Sequence, residues 1–124
     1  MKHFPEKRRV VLVVEDEPIQ RMMAMDLVEE AGFEAVEATD ATQALLILEH
    51  RPDIRLVFTD IDMPRGMDGM KLAAMVRDRW PPIELILVSG KLRPRPEEMP
   101  ARGVFFSKPY VERDVVNAMH RMAV

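Results

Sequence analysis

A chain of 124 residues without cysteine suits one domain with a single core, and rules out both a disulfide framework and a thiolate metal site. A formal net charge of −3 provides no overall basic field for nucleic acid, and no apolar run approaches the ~20 residues of a membrane span. With 48% hydrophobic and 31% charged residues, the composition is that of a soluble globular protein, expected in the cytoplasm and without nucleic-acid or membrane partners.

Residues 1–8, locally basic, read as a solvated leader ahead of a domain spanning 9–124. Val10-Val11-Leu12-Val13-Val14 is unbroken and β-branched, the pattern of a strand covered on both faces in a parallel sheet. Glu15-Asp16-Glu17 ends it, and Pro18 suits a first helical turn. Ile19, Met22, Met23, Leu27 and Ala31 recur at helical spacing, which assigns the methionines to core filling, and Gly32 stops the helix. Residues 34–38 alternate and predict a weaker strand at an edge. Asp40 can cap a helix running through Ala44, Leu45, Ile47 and Leu48 to about Arg51.

Residues 54–59 form a third predicted strand, ending at Asp60. Asp68 or Gly69 opens a helix that Pro81-Pro82 closes. A fourth strand, 83–88, ends at Ser89-Gly90; a fifth, 104–106, ends at Ser107-Lys108. The last helix spans about 112–122 with Val115, Val116, Met119 and Met122 inward. Between the last two strands, Pro94, Pro96 and Pro100 predict a loop, at most a turn near 96–99, because each interior proline costs a helix ~3 kcal/mol. Alternating strands and helices imply right-handed crossovers onto one parallel sheet. Ligands of such sheets sit beyond the carboxyl ends of the strands, where Glu15, Asp16, Asp60, Ser89 and Lys108 stand.

Gathered in one crevice, three carboxylates repel by about 4 kcal/mol per pair at ~4 Å and an effective dielectric near 20. A hard divalent cation relieves this, and Mg²⁺ needs few protein carboxylates. Asp60 could then act as a nucleophile toward phosphorus, with Lys108 as fixed positive charge and Ser89 as donor to a phosphoryl oxygen. Each residue alone also has a plainer reading. Glu15-Asp16-Glu17 could complement a helix dipole, Asp60 could cap a turn, and Ser89-Gly90 is a common strand exit. Their joint occurrence at successive strand ends favours the shared site.

Four segments in order, VLVVEDEP, VFTDIDMP, LILVSG and FFSKPY, resemble those of the receiver domains of two-component response regulators. The resemblance implies a flavodoxin-like doubly wound five-stranded parallel sheet of order 2-1-3-4-5, here with the fourth helix shortened or replaced by the proline-rich loop. It implies phosphorylation of Asp60 by a histidine kinase or phosphotransfer protein, with Mg²⁺ held by Asp16, Glu15, Asp60 and the backbone carbonyl of Asp62, whose side chain is indifferent to that role. It also implies a switch in which Ser89 moves toward the phosphate and Phe105 turns inward, signalling to a downstream protein; a permanently buried Phe105 fits the sequence equally well. Lys108-Pro109 is expected to be cis. Val-Ser-Gly and Phe-Ser-Lys-Pro-Tyr are similar to receivers paired with kinases of the HWE type. The loop 63–69 looks one residue longer than usual, and no output domain follows residue 124, so a single-domain regulator is expected, catalysing only its own phosphorylation and dephosphorylation. Two other classes stay open: a phosphorylation-independent binding module on the same fold, and a phosphohydrolase of the haloacid dehalogenase type, whose Asp-x-Asp the segment Asp60-Ile61-Asp62 matches.

Overall fold

The computed structural model describes residues 8–63 and 67–123. The expected leader (residues 1–7) and the middle of the loop expected to be long (64–66) therefore lie outside the described residues. Five strands, β1 (Val10–Val14), β2 (Glu34–Ala38), β3 (Ile54–Asp60), β4 (Glu84–Ser89) and β5 (Gly103–Ser107), alternate with α1 (Pro18–Glu30), α2 (Ala41–His50) and α3 (Gly69–Arg79), and α4 (Glu112–Met122) closes the chain. All pairings are parallel, in the order β2-β1-β3-β4-β5. The unbroken apolar run of β1 is fully buried, because helices cover both faces of the sheet. Successive residues alternate between two cores. Val10, Leu12 and Val14 face α2 and α3, whereas Val11 and Val13 face α1 and α4.

β3 carries an irregularity that decides where its end points. The pairing with β1 slips between Val10 and Val11, so that Val10 lies opposite Ile54 and Val11 opposite Leu56. Ile54 and Val57 consequently enter the same core, while Leu56 and Phe58 enter the other, and Arg55 is left exposed. Without that extra residue every later side chain of β3, Asp60 included, would face the opposite layer.

Helix α1 corrects one expectation. Ile19, Met22 and Met23 are 63%, 59% and 58% exposed, not core filler; Leu27 is buried as expected, joined by Ala24 and Val28. The helix is apolar on two stripes, so spacing alone could not choose between them. The sheet selects the narrower stripe, where Ala24 permits close approach to the strands. Of the three acids after β1, only Glu17 caps the helix, accepting from the N–H groups of Ile19 and Gln20. Asp40 and Asp68 cap α2 and α3 in the same way.

Between β4 and β5 the chain forms only a 3₁₀ turn, Pro96–Glu98, as the prolines dictate. Its far end is pinned by Arg77, whose guanidinium donates to the carbonyls of Ala101, Pro81 and Ile83 at 2.6–2.8 Å. Lys108-Pro109 is cis. No helix among the described residues is long and apolar enough to cross a membrane.

Candidate functional site

At the switch point, where the chain leaves β1 for one side of the sheet and β3 for the other, the strand ends open into a crevice. A hollow of about 880 Å³ there is lined by Glu15, Asp16, Asp60, Asp62 and Lys108, among others. Glu15 and Asp60 are 5% and 6% exposed, burial that an ionised carboxylate tolerates only with partners. Lys108 supplies them: its Nζ donates to Asp60 Oδ2 at 2.7 Å and to Glu15 Oε1 at 3.2 Å. Gln20 Oε1 takes a third bond from the same ammonium, at 2.5 Å. Lys108, the cation expected at this site, bridges the two buried acids directly.

The remaining oxygens are also held. Asp60 Oδ1 accepts from the Asp62 N–H at 2.8 Å, and Glu15 Oε2 accepts from the Glu17 N–H at 3.0 Å. Arg21 donates to the Glu15 carbonyl and to Glu37, tying α1 to the end of β1. Burial lifts the Glu15 carboxyl from its ordinary 4.5 to about 7; the bond from Glu17 opposes this, the neighbouring Asp60 adds to it, and Lys108 opposes it. For Lys108, burial alone would lower the pKa, but the hydrogen bond and charge of Asp60, together with Glu15, outweigh it and raise the net value.

Ser89 does not share this cluster. It alternates onto the other face, beyond Leu85 and Leu87 of the α2–α3 core, and its hydroxyl donates to both oxygens of Asp62, at 2.8 and 2.7 Å. Phe105 packs against that same core while half-buried, with the Arg93 guanidinium 5.9 Å from its ring centroid. Asp16 lines the hollow but is exposed and makes no side-chain hydrogen bond or ion pair among the described residues.

Among the described residues, no group of three His, Cys, Asp or Glu side chains is gathered closely enough to hold a metal ion. The residues nevertheless fit Mg²⁺, an ion that keeps several waters and takes few protein ligands. The donors are all oxygen, burial raises the Glu15 proton affinity and Asp60 adds to it, and the ammonium between the two acids shows that the crevice accommodates positive charge.

Three contributors were missed by sequence reasoning. Asp62 is named from the sequence for its backbone carbonyl, but the bond from Ser89 to its carboxylate is not, although the Asp-x-Asp spacing hinted at a second carboxylate. Gln20 lies one turn into α1 and carried no motif. Gly69 opens α3 directly under the site: a Cβ there would stand 2.4 Å from the Asp60 carbonyl oxygen and 2.6 Å from Ile61 Cα. Only glycine allows that approach.

The family model for the response regulator receiver domain matches residues 11–119. The chain belongs to that family. Curated relatives include the response regulator protein FleR of Pseudomonas aeruginosa, 36% identical over 80 residues, which are 64% of this chain and 16% of FleR. Another is the sensor kinase CckA of Brucella abortus, 37% identical over 81 residues, 64% of this chain and 8% of that kinase. The chain thus spans a small part of the length of the curated relatives it matches. A crystal structure of the receiver domain of a hybrid histidine kinase CckA superposes with a TM-score of 0.78 at 28% identity, covering 93% of this chain and 99% of that one. Receiver domains are signalling domains of two-component systems working with histidine kinases, so the chain is a two-component signalling domain and its flavodoxin-like architecture is the family's.

Proposed function

We propose that this receiver accepts a phosphoryl group on Asp60 from a phosphohistidine of a sensor kinase or phosphotransfer protein, and that the modified form acts on a downstream protein. The observation that carries this reading is the Glu15–Asp60–Lys108 cluster: two buried carboxyl groups bridged in a crevice by one ammonium. Asp60 is fixed through Oδ1 by a backbone N–H and through Oδ2 by Lys108. Positioning and charge neutralisation are what phosphoryl transfer chiefly demands.

In the proposed step a carboxylate oxygen of Asp60 forms a bond to phosphorus. The phosphorus–nitrogen bond of the donor breaks and its electron pair stays on that ring nitrogen; with the other ring nitrogen protonated in the donor, the imidazole leaves as neutral histidine. Lys108 offsets charge on the incoming oxygens. Glu15, Asp16, Asp60 and the Asp62 carbonyl would hold Mg²⁺, which when bound supplies the second centre of charge neutralisation. The only reactions the domain would catalyse are its own phosphorylation and dephosphorylation. The HWE type of kinase is the proposed donor class, on the resemblance of the Val88-Ser89-Gly90 and Phe106-Ser107-Lys108-Pro109-Tyr110 segments.

The test is incubation with acetyl phosphate and Mg²⁺, read by intact-mass spectrometry. A single added phosphoryl group that needs Mg²⁺ and disappears in Asp60→Asn supports the reading. Modification persisting in Asp60→Asn, or none in the unaltered protein, overturns it. Repeated hydrolysis of phosphomonoesters would favour the phosphohydrolase instead.

A further inference from the structure

We infer that Asp62 is a positioning residue whose carboxylate holds the Ser89 hydroxyl away from Asp60, so that an anion bound at Asp60 must compete with Asp62 for that hydroxyl. The inference rests on the phosphoacceptor reading for what the anion is.

A serine hydroxyl has one proton and two acceptor lone pairs, and in this structure all are engaged. The proton is shared between the two oxygens of Asp62. The lone pairs accept from the N–H groups of Lys91 and Leu92, at 3.1 and 2.8 Å. The Gly90 N–H adds a second bond from the end of β4 to Asp62 Oδ2, at 3.0 Å. Ser89 is 1% exposed, so water has little access with which to loosen the arrangement. None of its capacity is aimed at Asp60, although Asp62 itself is tied to Asp60 through its N–H. One residue therefore touches both the nucleophile and the hydroxyl, by backbone on one side and carboxylate on the other.

The consequence extends into the proline-rich segment. Turning Ser89 toward Asp60 withdraws its oxygen from the Lys91 and Leu92 amides, and the next residue, Arg93, is the one stacked over Phe105. Release of the hydroxyl thus frees the first residues of the proline-rich segment that stands between β4 and β5 in place of a helix.

A double-mutant cycle tests this, with Mg²⁺ and beryllofluoride as the probe and calorimetry as the readout. A hydrogen bond to a charged acceptor corresponds to about tenfold in an equilibrium. Asp62→Ala is therefore expected to bind beryllofluoride about tenfold more tightly than the unaltered chain, relative to the same change made in a Ser89→Ala background. Asp62→Asn removes the charge but keeps an acceptor, and is expected to fall between. Equal ratios in both backgrounds would mean that Asp62 acts by charge alone, and would overturn the inference.

A second readout is independent of phosphorylation. Proton couplings of Ser89 should report one side-chain rotamer in the free protein and averaged rotamers in Asp62→Ala. A single unchanged rotamer in Asp62→Ala overturns the inference. Failure of the unaltered protein to bind beryllofluoride would instead count against the phosphoacceptor reading, and the rotamer result would still decide the role of Asp62.

Discussion

The two halves of the crevice are held by different forces. On the side facing α1 and α4, Glu15, Asp60 and Lys108 form a buried ionic cluster on three separate strand ends. On the side facing α2 and α3, Ser89 and Asp62 form a hydrogen-bonded clasp joined to a loop. The first half is costly to disturb because desolvated charges must stay paired. The second is held by hydrogen bonds alone, with no ion pair between its two side chains. On the proposed function, capture of a charged group would belong to the rigid half, and readout to the adaptable one. β-strand alternation, fixed by the slip at Arg55, keeps the two apart.

The comparison breaks first at Lys108. Lys108→Met should lower the unfolding free energy by about 3 kcal/mol at about pH 8, since it leaves two buried acids without their cation. Part of that loss should return near pH 5.5 as a carboxylate takes up a proton, and urea denaturation at the two pH values measures both. Unchanged stability would mean that the ionic half is not buried in the sense argued. Next in size is Gly69→Ala, expected to cost about 2–3 kcal/mol in the same assay because its Cβ meets backbone rather than a mobile side chain.

Glu15→Gln sharpens the point by pH. The folded-state pKa of Glu15, about 7, lies above the ordinary 4.5, so the folded chain binds the proton more tightly than the unfolded one. Its stabilising effect is complete below about pH 4.5 and is lost as pH rises through about 7, a fall of about 2 kcal/mol between about pH 5.5 and pH 8 without Mg²⁺. The variant should lack that fall; an identical slope would place the perturbed proton elsewhere. Smallest is Asp16→Asn, on an exposed side chain. It should change stability by less than about 0.5 kcal/mol while weakening Mg²⁺ binding by titration, and undiminished Mg²⁺ affinity would remove Asp16 from the proposed ligand set.

The sequence revealed the frame of this site better than its inner wiring. The uninterrupted run at residues 10–14, the strand-end acids and three prolines in thirteen residues each act locally, and each was legible. The buried face of α1 was not, because Ile19 and Met22 offer an apolar stripe as plausible as Ala24 and Val28, and only the sheet decides between them. Nor was the bond from Ser89 to Asp62. It joins residues 27 apart in sequence, and its existence depends on which way each strand end points. Lys108 was legible as the positive charge of the site, but not that its long side chain reaches across to Glu15, 93 residues away. Gly69 matters through the backbone it touches, which no side-chain pattern records.

The most direct measurement follows the labile bond itself. An acyl phosphate is reduced by borohydride to an alcohol, whereas a phosphoserine is not, so phosphorylated protein treated with borohydride and mapped by peptide mass spectrometry marks the acceptor. Homoserine at position 60 and at no other position is the predicted result. An unreduced carboxyl at Asp60, or phosphate retained on Ser89 or Ser107, would contradict the account.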